Sequence, residues 1–293
     1  MRASVTGLGV LCGLGQTPGE VKARLAQGES AMENLDLEGS PVKQGSRVTG
    51  PDLRPWLSRR KDRKLFSRCA ELLLGAAGLA LGEWPGDREA LGLFVGVRRE
   101  PSDADDADAA LLASAEEGAL SLSRLCTQGR DLYPPLHPLK TLPNMALAHV
   151  AIQLGIRGTS GTTAGGPAAG VMAVREGIAA VAEGRCGVAL AGAVDSWLDP
   201  GALRDWIRLG RVDCSPGEAA VVLRLEPAGH PAALFELERG EAGSGARPSP
   251  REHWPALGHC GVADALVALV AGAPTLRGVD DTGVWGEALP LGQ

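Results

Sequence analysis

The sequence predicts an α/β protein with helices packed on both faces of its sheets, and three observations carry that expectation. Apolar runs of strand length (residues 91–97, 186–193 and 217–226) alternate with longer runs, one rich in Ala and Leu (residues 65–81) and one amphipathic (residues 171–183), the pattern of strands interleaved with helices. Apolar residues make up 44% of the 293-residue chain but aromatics only 3%, which suits close packing of helices on a sheet better than an aromatic-rich sandwich. Residues 158–170 read G-T-S-G-T-T-A-G-G-P-A-A-G: a small-residue strand end, a sharp turn and a helix start, the place where α/β enzymes mount a nucleophile.

Taken in order, residues 4–6 enter a glycine run, Gly7 to Gly15, and read as a first strand and turn. A dinucleotide site is excluded there because Cys12 stands where the third glycine is needed and no strand with an acidic residue follows at the required distance. Thr17, Pro18 and Glu20 predict a capped helix start with Val21 and Leu25 on its apolar stripe. Residues 39–56 are punctuated by polar residues and proline and read as loop, and residues 65–81 as a strong helix. The basic cluster R-R-K-D-R at residues 59–63 reads as a solvated helix start with local pairing, or as a docking spot for an acidic carrier. Residues 91–97 are a buried strand, 101–108 an acidic exposed stretch, 109–125 a helix, 133–143 irregular and 144–154 a helix. After the elbow at residues 158–170 come a helix (171–183), a strand (186–193), two strands (217–226 and 232–239), a loose Gly/Ser/Pro segment (240–250), a helix (261–271) and a final strand (283–289).

The net charge of −6 and pI near 5.5 argue against a nucleic-acid binder, which shows a basic face. No apolar run reaches spanning length and no secretory segment is read at the N-terminus, so no membrane partner and a cytoplasmic location are expected. Cys12, Cys69, Cys126, Cys186, Cys214 and Cys260 are scattered singly without a CxxC pair; they read as reduced thiols, and no metal or cofactor is expected.

Several stretches, in this order, resemble the β-ketoacyl synthase family of the thiolase-like fold. Residues 5–10 (V-T-G-L-G-V) with Gly13-Leu14-Gly15 resemble the family's opening V-T-G-x-G, without its proline. Asn144-Met145 through Gly158 resembles the segment before the nucleophile, and Ser160 through Gly170 its S-x-T-x-x-T-A-C-A-S-G elbow. Residues 190–193 (L-A-G-A) resemble L-A-G-G, residues 217–223 (G-E-A-A-V-V-L) resemble G-E-G-A-G-V-L, and Gly258-His259 resembles the G-H-x-x-G-A-A-G site. The fold implied is thiolase-like: α-β-α-β-α layers in one domain over residues 1–293, with an N-terminal half (1–215) and an abbreviated C-terminal half (216–293).

The resemblance implies an architecture without a working site. The family's nucleophilic cysteine aligns with Pro167, which has neither a thiol nor the backbone N–H that helps form the oxyanion hole. The first histidine, in H-G-T-G-T, has no counterpart. The second matches His259, read as a structural histidine. The family's lysine falls near Trp254, and its glycine-rich C-terminal loop is reduced to Gly283-Val284-Trp285-Gly286. The expectation is a catalytically inactive subunit of fatty acid or polyketide biosynthesis, comparable to a chain-length factor. It would form a homodimer or a heterodimer with an active ketosynthase through the run 186–193, with acyl carrier protein as a further partner. The alternative is an acyltransferase or thioesterase using Cys260 beside His259 as a relocated nucleophile. A decarboxylase without acyl transfer ranks last.

Overall fold

In the computed structural model, which describes residues 1–35, 41–98, 107–210, 214–245, 254–279 and 284–291, the chain opens with strand β1 (Arg2–Cys12) and helix α1 (Pro18–Ala26). Thr17 caps α1 by accepting from the Glu20 N–H at 3.2 Å. Glu20 reaches back to the N–H of Gln16 at 3.0 Å, one residue earlier than in the usual capping box. The short ladder β2 (Met32–Asn34) and β3 (Gln44–Ser46) follows, so part of the expected loop is strand. Helix α2 (Arg68–Leu81) starts three residues later than predicted, because residues Arg60–Leu65 form a separate 3-10 turn and Ser67 supplies the cap. Strand β4 (Leu91–Arg98) is buried over all but its last residue. The acidic stretch 101–108 lies outside the described residues except for its last two.

The helix expected over residues 109–125 is broken into α3 (Asp108–Ala113), the hairpin β5 (Ala115–Glu116) and β6 (Ala119–Leu120), and α4 (Leu122–Arg124). Glu117 (φ 51°) and Gly118 (φ 81°) turn the chain in left-handed conformations there, which a continuing helix cannot accommodate. Helices α5 (Pro138–Thr141) and α6 (Met145–Leu154) lead into β7 (Ser160–Gly165), α7 (Ala168–Ala182), β8 (Val188–Ser196), α8 (Pro200–Arg208) and β9 (Glu218–Pro227). The chain then runs through β10 (Phe235–Ser244), α9 (Trp254–Leu257), a 3-10 turn (Gly261–Ala263), α10 (Asp264–Ala271), β11 (Leu276–Val279) and β12 (Val284–Leu291). Residues 240–244 are therefore strand, not loose loop, and β11 is an element the periodicity did not show.

Eight strands form one mixed sheet in the order β11-β12-β10-β1-β9-β8-β4-β7. β7, β4 and β8 are parallel, whereas β9, β1 and the strands beyond pair antiparallel. Side chains alternate across the sheet as a period of two requires. On β8, Leu190 and Val194 join the core under α2 and α6, while Ala189, Ala191 and Ala193 join the core around α7 and α10. The alanine face lets α7 sit close, and the sheet curls so that α7 contacts all eight strands. Of its fifteen residues all but Met172, Glu176 and Ala182 are buried, as befits a helix apolar on every side. The layers thus run helices (α2, α6), sheet, helices (α7, α10), and the folded-over strands β11 and β12.

One expectation is overturned. The run 186–193 is not an edge available for pairing: residues 188–193 lie in β8, which is bonded to β4 on one side and β9 on the other and is buried throughout. Its apolar character comes from lying in the middle of the sheet. The outermost strand on that side is β7.

Candidate functional site

The elbow has the geometry the sequence suggested. β7 ends at Gly165, Gly166 makes the turn, and Pro167 sits at the N-cap of α7 with φ −56° and ψ −23°. The pyrrolidine ring fixes φ near that value, and the N–H it lacks would have no intrahelical partner at a first turn. Proline therefore preserves the local fold and removes both groups that acyl transfer would draw on at this position. The turn is held by close backbone approach: a Cβ on Gly96 of β4 would lie 2.6 Å from the Gly170 nitrogen of α7.

His259 and Cys260 follow α9, and the structure sends their side chains apart. The His259 Nδ1 pairs closely with the carboxylate of Asp264, whose other oxygen accepts from the Cys260 N–H at 2.7 Å. The imidazole packs against Trp206 and Trp197, with ring centroids 5.7 and 6.2 Å away, and His259 is 2% exposed. Its backbone is tied as well, donating to Ser215 O at 2.8 Å while its carbonyl accepts from Gly217 N at 3.0 Å. The Cys260 thiol is fully buried and directed at the carbonyls of Leu257 (3.6 Å) and Gly258 (3.8 Å). Burial first, and then the Asp264 carboxylate, push this thiol well above its ordinary range, so it is held as the neutral, weakly nucleophilic form. Trp254 is the first residue of α9, and Val284 to Gly286 lie in strand β12, while Gly283 lies outside the described residues.

Sequence reading missed the charged residues behind the elbow. Arg98 ends β4, opposite Gly165 of β7, and its Nε lies 3.1 Å from Asp195 Oδ1 on β8. The same guanidinium donates to Ser196 O at 2.9 Å and stacks over Trp197 at 4.4 Å. Asp195 Oδ2 accepts from Val262 N at 3.2 Å, tying β8 to the turn before α10. On the opposite face of the sheet, buried Glu218 accepts from Arg68, Ser196 Oγ and Val48 N at 2.6, 2.8 and 2.9 Å. These carboxylates have their hydrogen bonds supplied by the fold, as buried charges must. The Arg98-Arg99 pair after seven apolar strand residues was the one available signal for Arg98.

The arrangement offers a helix start with no nucleophile, a His–Asp pair sealed by two tryptophans, and a neutral buried thiol. Among the described residues no group of three or more His, Cys, Asp or Glu is placed to hold a metal ion, and no helix is long and apolar enough to cross a membrane. On the outer surface, the 3-10 turn Arg60–Leu65 presents Arg60, Lys61 and Lys64 exposed, beside Arg63 paired to Glu71 at 2.6 Å.

A family model for the β-ketoacyl synthase N-terminal domain matches residues 2–220. The chain belongs to the β-ketoacyl synthase family. Nodulation protein E of Rhizobium leguminosarum bv. trifolii is 27% identical over 213 residues, 70% of this chain and 49% of that protein, so this chain spans about half the length of that relative. Among solved structures, a chain from a type II polyketide acyl-carrier protein in complex with its ketosynthase bound to the hexaketide superposes with a TM-score of 0.75, at 14% identity and 99% coverage of both chains. The ishigamide ketosynthase/chain length factor gives 0.71, at 18% identity and 99% coverage of both. At these identities the likeness establishes the shared thiolase-like ketosynthase fold. Pro167 lies within the residues that the family model matches.

Proposed function

We propose that this chain is a catalytically silent member of the family that works as a dimer partner or accessory subunit, in the manner of a chain-length factor, in fatty acid or polyketide biosynthesis. The observation that carries the reading is Pro167 at the helix start: the elbow's shape is kept, and the thiol and amide of acyl transfer are gone. The His259–Asp264 pair supports it, since the imidazole is 2% exposed and packed against Trp197 and Trp206. The same facts weigh against the acyltransferase alternative, because Cys260 is buried, protonated and turned away from His259. Residues 216–293 act in this reading as an abbreviated second half, and the setting is cytoplasmic.

The partner is a second ketosynthase-fold chain, either another copy or an active ketosynthase, joined through β7. This strand is the sheet's outermost on its side and is uncharged, S-G-T-T-A-G. It carries no lysine, proline or bulge of the kind that keeps exposed edges apart. Pairing of identical edges is isologous and closes a two-fold dimer. Acyl carrier protein, an acidic partner, is placed on the exposed cations Arg60, Lys61 and Lys64. The family's structural relatives, which include a carrier–ketosynthase complex and a ketosynthase/chain length factor, support both pairings.

Sedimentation velocity of the wild type and Ala164→Lys tests this, since Ala164 is exposed on β7 and an edge lysine should be harmless to a monomer. The wild type is expected to sediment as a dimer, alone or with a co-expressed ketosynthase, and the variant as a monomer. A wild type that is monomeric and captures neither a ketosynthase nor an acyl carrier overturns the reading.

A further inference from the structure

A second concavity lies on the outer helical layer, away from the elbow and from β7, where the C-terminal end of α2 meets the end of α6. It encloses about 290 Å³ between Trp56, Leu57, Leu81 and Leu154, near the lower end of the roughly 300–1,000 Å³ typical of small-molecule sites. The wall is rigid on one side, because the Trp56 indole lies directly on Gly78, where a Cβ would come within 2.2 Å of the ring. Gln153 at the rim is already committed, accepting from Ser58 N at 2.8 Å and donating to Asp62 at 3.1 Å.

Among the described residues Arg88 is the one charged residue lining this space. Its guanidinium is stacked over Trp84 at 5.4 Å, and its backbone is fixed by the Arg157 N–H donating to its carbonyl at 3.0 Å. Among the described residues its Nη1, itself covered, has no hydrogen-bond acceptor. The neighbouring carboxylates are engaged elsewhere: Glu89 faces Arg157 at 3.4 Å, and Asp87 caps the turn by accepting from Glu89 N at 3.0 Å. A guanidinium held in a fixed plane by stacking on an indole is suited to a planar anion. We infer that this cleft is a binding site for a small organic carboxylate, its anionic end on Arg88 and its apolar body against Trp56, Leu57, Leu81 and Leu154. The inference goes beyond the dimer reading and does not depend on it.

The test uses 2-naphthoate as the probe and the neutral 2-naphthalenemethanol as its control, titrated into the full-length wild type and into Arg88→Gln. Saturation-transfer NMR measures binding, and the Trp56 indole N–H resonance reports location. Naphthoate is expected to shift the Trp56 signal, to bind at least tenfold more tightly than the alcohol, to weaken with added salt, and to lose at least tenfold in affinity in Arg88→Gln. The wild-type comparison of acid with alcohol stands even if that variant fails to fold. No naphthoate binding at millimolar concentration, equal affinity for acid and alcohol, or binding that leaves Trp56 or the folded Arg88→Gln variant indifferent would each overturn the site.

Discussion

The carbonyl oxygen of Pro167 lies so close to Gly278 that a Cβ on that glycine would come within 2.5 Å of it. Strand β11, from the end of the chain, is thereby seated directly on the elbow, and the contact is backbone against backbone. Neither side can give way as a flexible side chain would. Gly278→Ala is expected to destabilise the fold by about 1–3 kcal/mol, the usual cost of overpacking. Urea denaturation measures it, and an unchanged midpoint would show that β11 does not clamp the elbow.

A second clamp joins the same layers. Arg175, buried in the middle of α7, donates from Nη1 to the carbonyls of Gly240, Glu241 (2.8 Å) and Glu287 (2.8 Å) on β10 and β12. Arg175→Met keeps most of the side-chain volume and removes these charge-assisted bonds, at a cost of about 1.5–3 kcal/mol or more. Hydrogen exchange should speed up in β10 and β12 before it does in β4 and β8. Uniform exchange across the sheet would contradict the assignment.

Glu218 is paired with Arg68 at 2.6 Å. Arg68→Ala leaves a 1%-exposed carboxylate without its cation, a loss of about 3–5 kcal/mol, whereas the double replacement Arg68→Met/Glu218→Leu should be far milder. Thermal denaturation of the two proteins gives the comparison. Equal losses would mean that packing, not the charge pair, sets the cost.

The buried thiols make stability fall in alkali. Burial raises Cys12 from an ordinary 9.0 to about 11, and Cys260 well above its ordinary value. The unfolded chain releases these protons at lower pH than the native one, so the native state holds more protons in that window. Stability therefore falls as pH rises from about 9 toward about 11. Cys12→Ala should flatten part of that slope in denaturation curves collected across the range. Over the same range, exposed Cys126 should react with a thiol reagent well before Cys260.

Much of the fold was legible because the periodic signals were strong. The elbow was readable from the small residues flanking Pro167, and α1 from Thr17, Pro18 and Glu20. What misled was context. The family resemblance put residues 186–193 at an interface, yet a continuous apolar run is the mark of a strand paired on both edges; β7, the outermost strand on that side, is a weak run of Gly, Ser, Thr and Ala. The helix expected over 109–125 failed at Glu117-Gly118, where local turn geometry outweighed helical periodicity. The site's charged residues were invisible for a different reason. Asp264 becomes a partner of His259 only once α10 starts beneath it, and Arg98 meets Asp195, and Glu218 meets Ser196 and Arg68, through sheet register and helix packing that one sequence does not display. Asp264, an acid five residues past His259 at a helix start, was the one that spacing could have suggested.

Restoring the thiol should not restore the chemistry. Pro167→Cys is expected to fold, since a cysteine is compatible with the first-turn geometry, and to show no condensation of acyl and malonyl units, because His259 stays locked to Asp264 between Trp197 and Trp206. Measurable condensation product from that variant would show that the rest of the site is intact.

The most direct test of a silent elbow is intact-protein mass spectrometry of the wild type after incubation with acyl-CoA and with acyl carrier protein bearing an acyl thioester. The account predicts an unchanged mass, with neither Cys260 nor any other residue acylated. A stable, stoichiometric acyl adduct would contradict it.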